Sequence, residues 1–357
     1  MVAVFNFGGQ YAHLIARKVR ELGVKSELVP PGISPQDLKR LSPQALIFSG
    51  SPASVYKKGS PKIDRRIYQM GIPILGICYG QQLIAHELGG KVVPYSKKQF
   101  GREIIKITES PLFSGLTNRQ AVWFSHGDQV DKLPKGFSII ASTKNAKVAA
   151  MQNIAKNFYS VQFHPEVVHT PKGMTILSNF LFKISKAKKD WDLKEVKKEI
   201  VEKLKDQIQK EKVLMAISGG VDSLVAAALL KEAIGSKLHL LFIDTGLLRN
   251  YDLADLKNVI EKVKFKNFKV ADKSETFVKA LKGITDPEEK RKMIAGIYFK
   301  TLEEEAKKLG NIKFLGQGTI YPDRIESAQP SKHADKIKSH HNVTLPSGLK
   351  LELIEPL

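Results

Sequence analysis

Apolar residues in the N-terminal half fall in short, dense runs separated by polar, glycine-containing stretches. Val2–Phe5 is one such run and leads to Gly8-Gly9. Tyr11, Leu14, Ile15, Val19 and Leu22 then recur at helical spacing, and Gly23 stops the helix. Ala45–Phe48 closes on Ser49-Gly50-Ser51-Pro52, and Pro73–Ile77 runs at once into Cys78-Tyr79-Gly80 and a helix predicted over Gln81–Leu88. Ala121–Phe124, Val148–Met151 and Tyr159–Phe163 read as further strands. Runs this short fit strands covered on both faces. Their alternation with helices predicts an α/β fold built on a parallel or mostly parallel sheet.

Between Lys183 and Lys212 the pattern changes to dense charge carrying one apolar stripe, Leu193, Val196, Ile200, Leu204 and Ile208. Asp192 followed by Glu195 resembles a capping-box start. This predicts the first helix of a second domain, with a boundary near Lys188, so that residues 1–188 and 189–357 form separate domains. A new α/β unit then opens with strand Val213–Ile217, a glycine turn, helix Asp222–Ala233 and strand Leu238–Ile243. Leu349–Ile354 reads as a last strand.

Composition narrows the class. A chain of 357 residues suggests roughly two domains. The 57 Lys+Arg against 36 Asp+Glu leave a formal charge of +21. The lysines are spread over helical segments as solvated faces, no aromatics are interleaved with them, and no basic arm is visible, so specific nucleic-acid binding is not expected. The single Cys excludes an intrachain disulfide and any Cys-rich zinc site. Apolar runs such as Ile72–Ile77 fall far short of the ~18 residues that cross a bilayer. Met1 enters a strand with no signal-like segment, which points to the cytoplasm and away from membranes.

The lone Cys78 lies where a buried strand turns sharply into a helix. Such a turn lifts a side chain off the sheet toward free N–H groups that favour a thiolate. Position alone leaves two readings open, a reactive nucleophile or a buried structural thiol. His164 and Glu166 favour the first. Two residues apart after a strand, with Pro165 between them, they are expected to share one side of an extended chain. A base for the sulfur and a carboxylate that orients the base complete a nucleophile–base–orienter set.

Gly76-Ile77-Cys78-Tyr79-Gly80-Gln81-Gln82 together with Gln162-Phe163-His164-Pro165-Glu166 resembles the class I glutamine amidotransferase signature. The resemblance implies that Cys78 attacks the glutamine side-chain amide, that His164 is its general acid/base and that Glu166 orients His164. It further implies an oxyanion hole from backbone N–H groups near Gly50 and Tyr79, and glutamine binding by Gln82 and by Ser125, His126 and Gly127. The chain departs from the family at Ser51, where Gly is usual, and at Asn6, where related synthases carry Asp.

In the second half, strand Val213–Ile217 runs into Ser218-Gly219-Gly220-Val221-Asp222-Ser223 and a helix. Small residues at a helix N-terminus let backbone N–H groups surround phosphate oxygens. Glycines alone would better suit an ordinary strand-to-helix turn. The full string resembles the pyrophosphate-binding loop of N-type ATP pyrophosphatases, which implies ATP as substrate and Mg²⁺ held at Asp222. Asp244, in Phe242-Ile243-Asp244-Thr245-Gly246, is implied in the same ATP site.

Gln317, Asp323, Lys338, His340 and His341 lie in two polar strings, Gly316–Ser327 and Lys336–Asn342, that by themselves suit a solvated loop or an anion. With Thr285-Asp286-Pro287-Glu288, they make the chain resemble the glutamine-hydrolysing GMP synthase family, in which such strings form a nucleotide lid. The implied reaction aminates XMP to GMP, with ATP cleaved to AMP and pyrophosphate and ammonia passed from the glutamine site. The implied fold pairs an amidotransferase sheet bearing a nucleophile elbow with a parallel-sheet ATP pyrophosphatase domain. Members of that family run on past Leu357 for roughly a further domain, which supplies homodimer contacts and part of the XMP site. A truncated chain without those contacts is the expectation. A remnant with only glutaminase or ATP-binding activity, or an amidotransferase for another adenylated acceptor, are the competing readings.

Overall fold

The buried apolar runs become the strands of two separate sheets in the computed structural model, which describes residues 1–249, 252–319 and 351–357, without the side chains of 95–98. The chain divides into two units, Met1–Asp192 and Leu193–Leu357.

In the first unit the strands are β1 (Val2–Phe5), β2 (Ser26–Val29), β3 (Ala45–Phe48), β4 (Ile74–Ile77), β5 (Lys91–Ile107), β6 (Arg119–Lys132), β7 (Ser138–Ser142), β8 (Ala150–Asn153) and β9 (Phe158–Val161). They join in the order β2-β1-β3-β4-β9-β8-β7-β5-β6. The ladders from β2 to β9 are parallel. Every residue of β1, β3, β4 and β9 is buried, as expected for strands covered on both faces. Alternate residues feed two cores: Val2, Val4, Ile47, Leu75 and Ile77 on one side, Ala3, Phe5, Leu46, Phe48 and Ile74 on the other.

The expectation of a mostly parallel sheet needs correction here. Strands β8, β7, β5 and β6 continue the sheet as an antiparallel wing. On β6 burial alternates, with Gln120, Val122, Phe124 and His126 turned inward and the residues between them partly solvated. That period-2 pattern suits an antiparallel strand with one open face, not a strand between helices. Residues 189–192 pack back on this unit: Asp190 pairs with the Met1 amino group at 3.0 Å and accepts from the Lys25 N–H, and the Trp191 N–H donates to the Gly23 carbonyl.

The second unit opens with a helix, Leu193–Ile208, and carries β10 (Lys212–Ala216), β11 (Leu238–Asp244), β12 (Asn267–Asp272), β13 (Ile312–Gly316) and β14 (Glu352–Ile354). Their order is β12-β11-β10-β13-β14, all parallel. The chain builds outward from β10 through β11 to β12, then crosses to the other side of β10. That reversal creates a crevice at the carboxyl ends of the central strands, where ligands bind in open α/β sheets. The Thr-Asp-Pro-Glu string has a structural job: Asp286 caps the long helix Pro287–Leu309, its side chain accepting from the Glu289 N–H.

Candidate functional site

Cys78 sits at the junction of β4 and the helix Tyr79–Glu87, with φ 56° and ψ −106°. A β-carbon-bearing residue rarely holds such a backbone, and this one is held by its neighbours. The Cys78 N–H donates to the Val161 carbonyl, and the Gly80 N–H donates to the Ser49 carbonyl. A Cβ at Gly80 would stand 2.3 Å from the Phe48 carbonyl oxygen, and one at Gly76 would stand 2.7 Å from Gly80. Only glycines let strand and helix close on each other this tightly.

His164 and Glu166 are brought together as expected, but not by an extended chain, because Pro165-Glu166 begins a turn just after β9. The His164 Nδ1–H donates to Glu166 Oε1 at 2.7 Å, with both side chains buried. Since a carboxylate only accepts, this bond fixes the proton on Nδ1 and leaves Nε2 for the sulfur. Burial opposes an imidazolium here, yet the Glu166 charge and the hydrogen-bonded Cys78 outweigh it and hold His164 well above its ordinary pKa. The Cys78 thiol also lies 3.7 Å from the Ser125 carbonyl oxygen.

Gly50 faces the same centre: a Cβ there would lie 3.4 Å from His164 Cε1 and 3.8 Å from Cys78 Cβ. Among the described residues, neither the Gly50 nor the Tyr79 amide hydrogen has an acceptor, as an oxyanion hole requires. The Gln82 side-chain amide donates to the Asp128 carbonyl at 2.8 Å and to Gln162 Oε1 at 3.3 Å. His126 is buried, and its Nδ1–H donates to the same Asp128 carbonyl at 2.9 Å. Burial, the strongest influence, lowers its pKa to about 4, so it is neutral. Gly127 lies half-buried on β6 beside it.

The two departures from the family pattern are accommodated. Asn6 Oδ1 accepts from the Gly8 N–H at 3.0 Å, a bond that needs only an oxygen. Ser51 has no positive φ, and its hydroxyl accepts from the Ala53 N–H at 3.2 Å. Sequence reasoning missed two supports of His164. The Thr170 hydroxyl donates to the His164 carbonyl at 2.6 Å and accepts from the Trp123 N–H at 3.1 Å. The Tyr11 ring meets the imidazole edge-on, with centroids 5.0 Å apart. Neither contact follows from spacing along the chain.

In the second unit, Ser218–Ser223 joins β10 to the helix Val221–Ile234, and Asp244 ends the neighbouring β11. The loop is shaped by its own hydroxyls. The Gly220 N–H donates to Ser218 Oγ, and Ser223 Oγ donates to the Gly220 carbonyl at 2.9 Å. Gly219 has φ +83°. Asp222 is exposed in the first helical turn. Asp244 Oδ1 accepts from the Gly246 N–H at 2.9 Å, turning the chain away from the strand end. From β13, Gly318 reaches the loop so closely that a Cβ would stand 2.9 Å from Ser223 Cα. Gln317 is held through its N–H on the Ile354 carbonyl. Asp323, Lys338, His340 and His341 lie outside the described residues. No cluster of three or more metal-binding side chains occurs among the described residues. No helix among them is long and apolar enough to cross a membrane.

Residues 3–184 match the glutamine amidotransferase class-I family, and residues 193–299 match the NAD synthase family. The whole chain is similar to curated proteins named GMP synthase [glutamine-hydrolyzing]. It is 46% identical to the protein from Carboxydothermus hydrogenoformans over 100% of this chain and 70% of that one. It is 47% identical to those of Syntrophomonas wolfei and Aquifex aeolicus, over 100% and 99% of this chain and 70% of each relative.

Proposed function

The chain belongs to the glutamine-hydrolysing GMP synthase family, and from that premise we propose that it makes GMP from XMP with nitrogen taken from glutamine. In the first unit the Cys78 sulfur attacks the glutamine side-chain amide carbon. The oxygen becomes an oxyanion held by the Gly50 and Tyr79 amides. His164, protonated at Nε2, gives that proton to the departing nitrogen, and ammonia leaves. A water then attacks the thioester, with His164 taking its proton, and glutamate is released as the thiol is restored. Glu166 keeps the imidazole in the required tautomer throughout. Gln82 and the Ser125–Gly127 segment hold the substrate.

In the second unit the amides and hydroxyls of Ser218–Ser223 bind the phosphates of ATP, and Asp244 lies at the neighbouring strand end in the same site. The XMP C2 oxygen attacks the α-phosphorus, pyrophosphate departs, and ammonia displaces AMP at C2. The exposed Asp222 carboxylate beside the loop fits Mg²⁺, which takes one or two carboxylates and completes its shell with phosphate oxygens and water. When bound, Mg²⁺ would offset phosphate charge.

The observation that carries this reading is the buried 2.7 Å bond between His164 and Glu166, with Cys78 on a strained turn against the same imidazole. The test is Cys78→Ala. Glutamate release from glutamine should fall by at least about 10⁴-fold, the scale of losing a covalent nucleophile. ATP binding, and pyrophosphate release driven by XMP with added ammonia, should persist. Equal loss of all three would overturn the division of labour. XMP-independent pyrophosphate release would favour another acceptor.

A further inference from the structure

Strand β6 ends the first sheet, and among the described residues no strand pairs with its outer side. An edge of this kind presents backbone groups in search of partners. The Trp123 carbonyl on β6 accepts the His164 N–H at 2.9 Å. Two residues on, the Ser125 carbonyl lies 3.7 Å from the Cys78 sulfur. One strand therefore touches both the sulfur and its base.

Residues that face each other across a narrow antiparallel rung exchange two backbone bonds. Trp123 and His164 make the first directly, and the second runs through a side chain. The Trp123 N–H donates to Thr170 Oγ1 at 3.1 Å, and the Thr170 hydroxyl donates to the His164 carbonyl at 2.6 Å. A hydroxyl can be spliced into the rung because it accepts and donates through one atom.

The loop after His164 is shaped to deliver that hydroxyl. Thr170 is buried, its N–H donates to the Val167 carbonyl, and its carbonyl accepts from the Gly173 N–H. A Cβ at Gly173 would stand 1.8 Å from the Pro165 carbonyl oxygen, so only glycine lets the loop close there. The His169 ring lies against the Trp123 indole, with centroids 4.4 Å apart. The same loop carries Glu166, which grips the imidazole. One loop thus fixes the ring of His164 through Glu166 and its backbone through Thr170.

Building on the glutaminase reading, we propose that Thr170 is a positioning residue whose hydroxyl spaces the His164 backbone from Trp123 and so sets the separation of imidazole and sulfur. Without the hydroxyl, the Trp123 N–H and the His164 carbonyl keep a partner only by closing on each other by about 1–2 Å, one ordinary bond replacing two in series. A misplacement of about 1 Å can cost about 10²-fold in rate. Thr170 acts through His164, so the loss falls on kcat and not on KM.

The test compares Thr170→Val, close in shape but without the hydroxyl, with Thr170→Ser, which keeps it. In glutamine hydrolysis Thr170→Val should lose at least about 30-fold in kcat, with KM within about threefold. Thr170→Ser should stay within about threefold of the unsubstituted chain in both. Cys78 is the chain's only cysteine, so alkylation by iodoacetamide near neutral pH, without glutamine, reads the same sulfur–imidazole contact. It should slow at least about tenfold in Thr170→Val and not in Thr170→Ser. An unchanged kcat in Thr170→Val overturns the proposal. So does an equal loss in Thr170→Ser, the mark of packing in place of the hydroxyl. A loss carried by KM overturns it as well, because Thr170 would then serve substrate binding. Should Thr170→Val not fold, Thr170→Ala, which adds no bulk, takes the same measurements, and an unchanged kcat in it overturns the proposal. An unsubstituted chain that hydrolyses no glutamine overturns the glutaminase reading. Alkylation then judges the spacing by itself, and equal rates with and without the hydroxyl overturn that too.

Discussion

Both units turn a buried parallel strand into a helix through glycines, and the two turns use those glycines for opposite ends. At Cys78 the glycines serve the protein: Gly80 lies against the Phe48 carbonyl and Gly76 against Gly80, with no room for a methyl group. At Ser218–Ser223 they leave space. A Cβ on Gly219 would find its nearest neighbour 3.9 Å away at Leu256, and one on Gly220 would meet only the Ser218 hydroxyl, at 3.3 Å. Burial follows the same division. Cys78, His164 and Glu166 are buried, while Gly219, Gly220 and Asp222 are exposed. The first turn is closed, and its packing holds Cys78, the proposed nucleophile, in a strained backbone. The second is an exposed loop whose Ser218 and Gly220 amides donate to its own hydroxyls and which, on the proposed function, receives phosphate. Similar local sequence logic, a strand followed by small residues and a helix, therefore yields a tightly packed, buried turn in one place and an open, exposed one in the other.

Substitution at the glycines should break the comparison most visibly. Gly80→Ala drives a methyl group into a backbone oxygen that cannot move without shifting β3. We expect a loss of about 3 kcal/mol, the upper range for overpacking, read as a lower denaturation midpoint for the first unit, together with loss of glutaminase activity. Gly220→Ala, at φ −70° and ψ 155°, meets no backbone strain. Its melting point should stay put while ATP affinity falls. A Gly80→Ala chain with unchanged stability would show that the elbow is looser than its contacts indicate.

Next in size is Glu166→Gln. The amide oxygen can still accept from His164 Nδ1, so geometry survives and the charge is lost. Glutaminase kcat/KM should drop about 10²–10³-fold, somewhat less than when an orienting carboxylate is lost with the wrong tautomer. The sign of the pH effect is fixed by the same charge. Glu166 favours the imidazolium, so its removal lets His164 deprotonate at lower pH, and the basic limb of the profile should move acidward. A loss of activity with an unmoved basic limb would mean that His164 owes its protonation to something else.

Much of the first site was legible because its chemistry is carried by residues with rigid local relations. The elbow needs a strand, a helix and glycines at fixed offsets, and His164 and Glu166 are two residues apart. The turn at Pro165 did not matter, since a turn can present such a pair as well as a strand can. Less legible were features set by distant packing. Thr170 reaches His164 only because the loop folds back on β6. The antiparallel wing was hidden because Pro94 and Gly101 interrupt the long β5 strand. The apolar stripe on Leu193–Ile208 is covered only in part: Leu193 is 73% exposed, while Val201, Leu204 and Ile208 are buried. Period reveals that a helix has an apolar face, not how far the surface beneath it extends.

The cradle gives a smaller effect than the elbow. Asp222→Ala removes an exposed carboxylate that makes no contribution to the core. Mg-ATP affinity should weaken about 10–30-fold, equivalent to about 1.4–2 kcal/mol, with melting unchanged, and isothermal titration with and without Mg²⁺ would read it. ATP affinity that does not respond to the substitution would remove Asp222 from the phosphate site.

The smallest effect tests whether a departure from the family pattern matters at all. Asn6 directly follows strand β1 and turns the chain through its Oδ1 bond to the Gly8 N–H. That turn brings Gly9 against Gly50, where a Cβ would stand 2.3 Å from the Gly50 carbonyl oxygen, and so supports the oxyanion strand from behind. Aspartate offers the same oxygen in the same place. Its added charge, at a partly solvated position, is worth at most a few tenths of a kcal/mol to the turn. Asn6→Asp should therefore leave glutaminase kcat within about twofold, while Asn6→Leu, which removes the acceptor, should lower it more by loosening Gly9 against Gly50. If Asp instead raised activity tenfold, the negative charge itself would be acting on the imidazolium of His164. The equivalence of amide and carboxylate at this turn would then be false.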